Sequence, residues 1–438
     1  MTTDHPVGES CFDRLGIPHP LRWGFLGVLL FMTGNGVESN FIAPHMSQVF
    51  TDAGLDLVPT IIAMYSLAVL VASYFSGALA DLYGPRRIML AGFLIWVVFE
   101  ALFLLALQTA STTLVFLTYF FRGFGFPFFT FAFLVWINAV VPRKRNASAV
   151  GWFYVMFTGG LPTLGSLFAL VAIPTFGGGA HGETLTMWAS IGLVTAGFLL
   201  VWFGVREPRG YRRLAPAGET GGQVIFSGLR LAWREPPVLM GFVIRLINTA
   251  PEFGMFVIMP AVIADQMGWG QSRWLFMTTA IYATNIVFNA LFGIIGDRLG
   301  WIFTMRWFGI LGSALGLLAW WYVPQLVPAG SNWGYYLSVL AGVTFGFLLA
   351  GFVPLGAIMP ALTPDHKGAA MAMYTTAAGG AIFLGTAVVA VVKPFLGNAG
   401  VVWTFVALYG LSFLLTFFIH IDDKRWRAGE DLAQPGRD

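Results

Sequence analysis

Long apolar stretches alternate with short charged islands along this chain, and the alternation predicts its elements. A stretch of about twenty apolar residues is long enough to cross a bilayer as a helix. Cutting at the islands and turn clusters gives twelve such spans. Six lie at 22–46, 58–81, 87–108, 112–141, 147–173 and 185–205. The other six lie at 238–265, 273–297, 302–323, 331–361, 368–393 and 399–420. Between the sets sits the one long hydrophilic segment, 206–237, whose "REPRGYRRLAPAGETGGQ" is arginine-rich and then rich in proline and glycine. It reads as a linker. The chain then divides into an N-terminal bundle over 1–205 and a C-terminal bundle with a short tail over 238–438. The linker ends in "VIFSGLRLAWREPP", which sets Ile225, Leu229, Ala232 and Trp233 at helical spacing. That spacing predicts a short amphipathic helix on the membrane surface.

Composition agrees with the pattern. Only 10% of the 438 residues are charged, whereas soluble domains carry roughly a quarter, and the mean hydropathy is +0.75. An all-α integral membrane protein follows. With both termini and the even-numbered loops in the cytoplasm, about twenty of the 24 Lys and Arg fall on that side, so the topology is N-in and C-in. Residues 1–20 are polar with prolines and the first apolar run is long enough to span, so no cleaved signal peptide is expected. Cys11 is the single cysteine, which excludes an internal disulfide framework. The six histidines fall in loops or at span ends without metal-ligand spacing, so no metal or other cofactor is expected. Nothing calls for nucleic acid or a second subunit; a monomer is expected.

The halves repeat each other. "GALADLYGPRR" follows the second span and "GIIGDRLGWIFTMR" the eighth, with Asp81 and Asp297 216 residues apart. Pro142 and Pro364 are separated by 222, and the paired glycines Gly159-Gly160 and Gly379-Gly380 by 220. Duplicated six-helix halves are the architecture of transporters that rock two bundles about a central site.

Gly77, Leu79, Ala80, Asp81, Gly84 and Arg86, with Gly293, Gly296, Asp297, Arg298 and Gly300, resemble the loop signature of the major facilitator superfamily. In the first copy Leu82 and Pro85 stand where that family usually has basic residues. A narrower resemblance covers nearly the whole chain: "WGFLGVLLFMTGNGVE", "YFFRGFGFPFFTF", "VIRLINTAPEFGMFVIMP", "MRWFGILG" and "PDHKGAAMAMY" look like the polyol permeases. It implies proton-coupled uptake of ribitol, D-arabinitol or similar sugar alcohols across a bacterial inner membrane. Where Asn35 stands, that family commonly has an aspartate. In the signature loops, Asp81 and Asp297 at cytoplasmic helix ends could accept backbone N–H groups or pair with arginine in one conformation and release in another. Asp81, Arg86, Asp297 and Arg298 are therefore gating candidates, against the plainer reading of surface anchors.

Ionisable residues inside spans are costly and mark the remaining candidates. Glu38 lies most of the way along the first span with Asn35 on the same face; Arg122 lies in the fourth span, entering from the opposite side. The family fold places both helices around the cavity, so the two could meet. Alone, Glu38 would keep its proton; beside Arg122 it would ionise, and alternating between the two couples a proton to a solute. A static ion pair, or direct binding of substrate hydroxyls, is the alternative. In the seventh span Arg245, Asn248, Thr249 and Glu252 form one helical stripe, interrupted by Pro251. In the eighth, Thr278, Tyr282, Asn285 and Asn289 do the same, though asparagines also serve as glue between helices.

Neutral amides, hydroxyls and a few charges suit a polyhydroxylated solute. Trp152, Tyr154, Tyr374, Phe126 and Trp136 could pack its C–H faces. An anionic solute stays open unless Glu38 and Glu252 neutralise Arg122 and Arg245. Glu100, midway through the third span, falls outside the cavity by analogy with the family, and its role is open. The sequence thus predicts a proton-coupled sugar-alcohol importer. Its rivals are a carrier of another polar or anionic metabolite, a drug exporter and a non-transporting sensor of the same fold. An enzyme lacks a catalytic constellation.

Overall fold

The structure is a computed structural model that describes residues 17–50, 57–141, 143–214, 220–363 and 367–421. Within its helices the side chains of 143–148, 150, 223–225, 227, 229, 290, 294, 297, 360, 367–369 and 371 lie outside the description. Among the described residues the regular structure is helical and no strand forms. Nine helices there are long and apolar enough to cross a membrane. The last, Ala372–Phe418, is two spans joined at a kink, where Gly397 takes φ 64°. Two further spans are not among the nine. The first is broken, running as Arg22–Gly36 and then Ile42–Val49. The eighth, Gln271–Leu299, contains positions 290, 294 and 297, whose side chains lie outside the description. Twelve spans result.

Where the two halves correspond, the backbone repeats. The second and third spans, Val58–Tyr83 and Pro85–Gln108, meet at Gly84 with φ 91° and ψ 133°. The eighth and ninth meet at Gly300 with φ 105° and ψ 138°. Both turns need a left-handed residue, which glycine supplies without strain. The first and seventh spans both break. The seventh runs Pro236–Asn248, interrupts at Thr249, and resumes as Ala250–Pro260 and a wide turn over Ala261–Gln266. Pro251 has no N–H to give the preceding turn, and beside it the hydroxyl of Tyr409 donates to the Asn248 carbonyl at 2.9 Å. The fifth span carries a similar wide turn, Gly159–Leu164, around Pro162.

Across the two halves, the second span packs along the eleventh and the fifth against the eighth. One continuous apolar core joins the outer ends of the N-terminal helices (Val37, Phe41, Phe103, Val115, Met187) to the C-terminal bundle. The cytoplasmic part of the N-terminal bundle has its own core around Phe25, Phe129, Phe133 and Trp136, to which Ile382 is the sole C-terminal buried contributor. The linker helix forms over Gly221–Arg234 and rests on the second and eleventh spans. Its Leu231 and Ala232 are buried while Trp233 is 88% exposed, so Ala232 and Trp233 do not share the inner face. Ile225 and Leu229 lie outside the described side chains.

Candidate functional site

Glu38 sits in the break of the first span. There its carbonyl accepts from the N–H groups of Phe41 at 3.0 Å and Ile42 at 2.8 Å, restarting the helix. Its side chain crosses to the fourth span. Oε1 accepts from the Tyr119 hydroxyl at 2.9 Å and from the Arg122 guanidinium. Oε2 is buried and has no hydrogen-bond partner among the described residues.

Arg122 is 1% exposed and holds a second carboxylate: its Nε lies 2.5 Å from Oε2 of Glu100 on the third span. Three rings surround the guanidinium, those of Trp96, Tyr119 and Tyr65 at 4.8, 5.4 and 5.6 Å, a stacking that favours a cation. Trp96 also donates from Nε1 to Oδ1 of Asn35 at 2.7 Å. Asn35 therefore has a structural partner on the third span. The close crossing of the third and fourth spans makes this possible. A Cβ on Gly92 would come within 2.6 Å of the Gly125 carbonyl, and one on Gly125 within 2.5 Å of Trp96. Small residues let backbones approach in this way.

Glu38 borders a cavity between the halves. Its N-terminal wall sets the polar groups of Asn35, Glu38, Ser39, Tyr65, Ser66 and Tyr119 among the apolar Ile42, Ala43, Ile62 and Leu161. Its C-terminal wall is Phe253, Phe256, Val257 and Ile382, with Thr386 the one hydroxyl. Phe126 lies on the wall as well. A small-molecule site commonly has this mixture of apolar surface with a few placed polar groups. Among the described residues Glu38 is the only acidic or basic one on the wall; Arg122 and Glu100 stand behind it.

The other candidates named from the sequence do not line this cavity. Arg245 lies under the break of the seventh span, stacked on Tyr374 at 4.9 Å and donating to Thr249 Oγ1 at 3.2 Å. Tyr374 in turn meets Tyr154 of the opposite half edge-on at 6.3 Å. Glu252 is buried beyond the break, within electrostatic reach of Arg245, Tyr282 and Tyr409. The side-chain carbonyl of Asn248 and the hydroxyl of Tyr282 are buried without hydrogen-bond partners. Tyr282 packs behind the wall residue Phe256 at 5.3 Å. In the eighth-span stripe Asn285 donates to the Gly346 carbonyl of a neighbouring helix at 3.0 Å, and Asn289 donates to Asn285 on its own helix at 3.4 Å. Trp152 is a half-buried member of the N-terminal packing.

Of the gating candidates, Arg86 is spent on the end of the sixth span. Its guanidinium donates to the carbonyls of Trp202 and of Val205, the latter at 3.0 Å, and stacks between Trp202 and Tyr211. A cation on a helix C-terminus is a favourable placement. The carbonyl of Asp81 accepts from the Leu214 N–H at 2.8 Å; Arg298 is exposed, and the Asp297 side chain lies outside the description. The outer end holds a bridge that the sequence reading missed. Glu183 accepts from Gln271 Nε2 of the opposite half and contacts His45 Nδ1, both at 2.5 Å. Beside it Trp274 donates to the Asn40 carbonyl at 2.7 Å, again across the halves. Tyr119 was also missed, although its place three residues before Arg122 puts both on one helical face.

The model of the Major Facilitator Superfamily matches residues 24–386. Among curated relatives, a D-arabinitol transporter of Klebsiella pneumoniae is 34% identical over 96% of this chain and 97% of its own length. A ribitol transporter of Klebsiella pneumoniae is 34% identical over 93% of each chain. An α-ketoglutarate permease of Bacillus subtilis is 33% identical over 97% of this chain and 94% of its own. Among solved structures, a D-xylose–proton symporter superposes with a TM-score of 0.72 at 14% identity, covering 92% of this chain and 97% of its own, a likeness of fold. By fold, by sequence and by its broken helices around a central cavity, the chain belongs to the major facilitator superfamily and is a multi-pass membrane transporter, not an enzyme.

Proposed function

We propose that this transporter imports a sugar alcohol of pentitol size, such as ribitol or D-arabinitol, with protons across a bacterial inner membrane. The observation that carries the proposal is the Glu38 carboxylate: one oxygen is held by Tyr119 and Arg122, while the other has no partner and belongs to a cavity-wall residue. A free carboxylate oxygen can accept a hydrogen bond from a hydroxyl, or take up a proton. Beside it Asn35, Ser39, Tyr65, Ser66 and Tyr119 bring amide and hydroxyl groups, and the phenylalanines opposite offer faces for a carbon chain. The relatives that carry ribitol and D-arabinitol support the substrate class. With Glu38 and Arg122 as the proton site, Asn35 and the cavity hydroxyls bind the solute.

A dicarboxylate is the second reading. It is favoured by the α-ketoglutarate permease relative and by Arg245, which has no carboxylate within ion-pair distance among the described residues. It is opposed by the cavity wall, whose one charge is negative. Counterflow in proteoliposomes with ribitol, D-arabinitol, xylitol, mannitol and α-ketoglutarate, with and without a pH gradient, separates the readings. Exchange of α-ketoglutarate alone would overturn the polyol assignment. Uptake indifferent to the pH gradient would overturn symport.

A further inference from the structure

Arg122 carries one positive charge and touches two carboxylates, Glu38 and Glu100. All three are buried, Glu100 completely. Among the described residues the other titratable groups facing them are the tyrosines Tyr65 and Tyr119, and no second cation stands there. Two ionised carboxylates on one guanidinium leave a net negative charge in a low-dielectric site, which is expensive. One proton makes the cluster neutral.

The two carboxylates differ in access and in the atoms they use. Glu38 lines the cavity; Glu100 does not. Glu38 takes the terminal nitrogen of Arg122, and Glu100 approaches Nε. The contacts therefore do not compete, and Arg122 can lose Glu38 without losing Glu100. The third span adds a second restraint four residues earlier, where Trp96 lies against the guanidinium and binds Asn35.

We infer that Glu100 is a positioning residue for transport: the fixed counter-ion that keeps Arg122 compensated in every state, so that Glu38 can exchange its ion pair for a proton. The inference rests on Glu38 being the proton site. With Glu100 ionised behind it, Arg122 is not left bare when Glu38 is protonated, and Glu38 in turn is not locked as the only anion beside it. Without the charge of Glu100, Glu38 loses a like-charged neighbour and becomes the sole partner of Arg122. Both changes make it harder to protonate.

Glu100→Gln and Glu100→Asp test this in proteoliposomes through the pH profile of gradient-driven uptake. Infrared difference spectra recorded against pH, without any substrate, test it independently. Among its titrating carboxyl bands the wild type should show one that Glu38→Gln abolishes. In Glu100→Gln the same band and the uptake midpoint should both move to lower pH by about 1–3 units, the span typical of a carboxylate gaining an arginine to itself. Glu100→Asp keeps the charge and should keep the midpoint even at a reduced rate. An unmoved band in Glu100→Gln overturns the inference. So does a band that disappears in Glu100→Gln and survives in Glu38→Gln, or an equal shift in both Glu100 variants. If no polyol is exchanged by the wild type, the substrate proposal fails while the infrared titration still decides on Glu100. If the wild type shows no such band, this inference fails whatever the substrate is.

Discussion

Tyr119→Phe isolates one bond of the proton site. The hydroxyl donates at 2.9 Å to the same Glu38 oxygen that Arg122 holds. The ring itself stacks on Tyr65 at 4.4 Å and on Phe103 at 4.6 Å, so phenylalanine fills the same space and opens no void. What is lost is a hydrogen bond to an ionised acceptor, worth about 1.5–3 kcal/mol. The donor stabilises the carboxylate over the acid, so removing it favours the protonated form. At about 1.4 kcal/mol per pH unit, the midpoint of proton-driven uptake should move to higher pH by about 1–2 units. The assay is initial uptake of labelled substrate into inverted or right-side-out vesicles at a fixed gradient and stepped pH. Glu100→Gln should move the same midpoint the other way, and the double variant should fall between them. General damage to the protein would not give opposite signs. An unchanged midpoint, or a shift to lower pH in Tyr119→Phe, would refute the assignment of Glu38.

Three further outcomes are expected. Gly125→Ala puts a methyl group against Trp96 at the crossing of the third and fourth spans; it should destabilise the protein by about 1–3 kcal/mol, read as a lower melting temperature in detergent. Phe256→Ala removes a ring from the C-terminal wall of the cavity and should raise the rate for a hexitol such as mannitol relative to ribitol; an unchanged ratio would remove Phe256 from the selectivity surface. Gln271→Ala breaks the outer bridge to Glu183. With Cys11 replaced by serine and Ser39→Cys as reporter, a membrane-impermeant thiol reagent added outside should label about tenfold faster, the population change expected for losing one charge-assisted bond.

The spans were legible because hydropathy and charge islands report lipid directly, and the arginine asymmetry oriented them. The juxtaposition of Glu38 and Arg122 was legible because both are costly in lipid and their spans approach the cavity from opposite sides. Glu100 was visible as an oddity, yet its reach to Arg122 depends on the tight crossing at Gly92 and Gly125, which helical periodicity does not encode. The break at Val37–Phe41 has no proline to announce it, unlike the one beside Pro251. Polar stripes alone do not separate solute ligands from helix glue: Asn285 reads as a solute ligand in the sequence, and in the structure its amide donates to the Gly346 carbonyl. Arg86 sits in a loop signature, but the carbonyl end of the sixth span takes it. Side chains of one type do both jobs, and only their neighbours tell them apart.

The uneven wall of the cavity bears on how a bound solute would travel. Nearly all the directional partners stand on one half, and the other half offers Phe253, Phe256, Val257 and Ile382. A polyol seated there would ride as a passenger of the N-terminal bundle and keep its hydrogen bonds while the halves rock. The aromatic and aliphatic face would slide past it, since dispersion contacts have no angle to break. Such a carrier has a grip on one side and a bearing surface on the other.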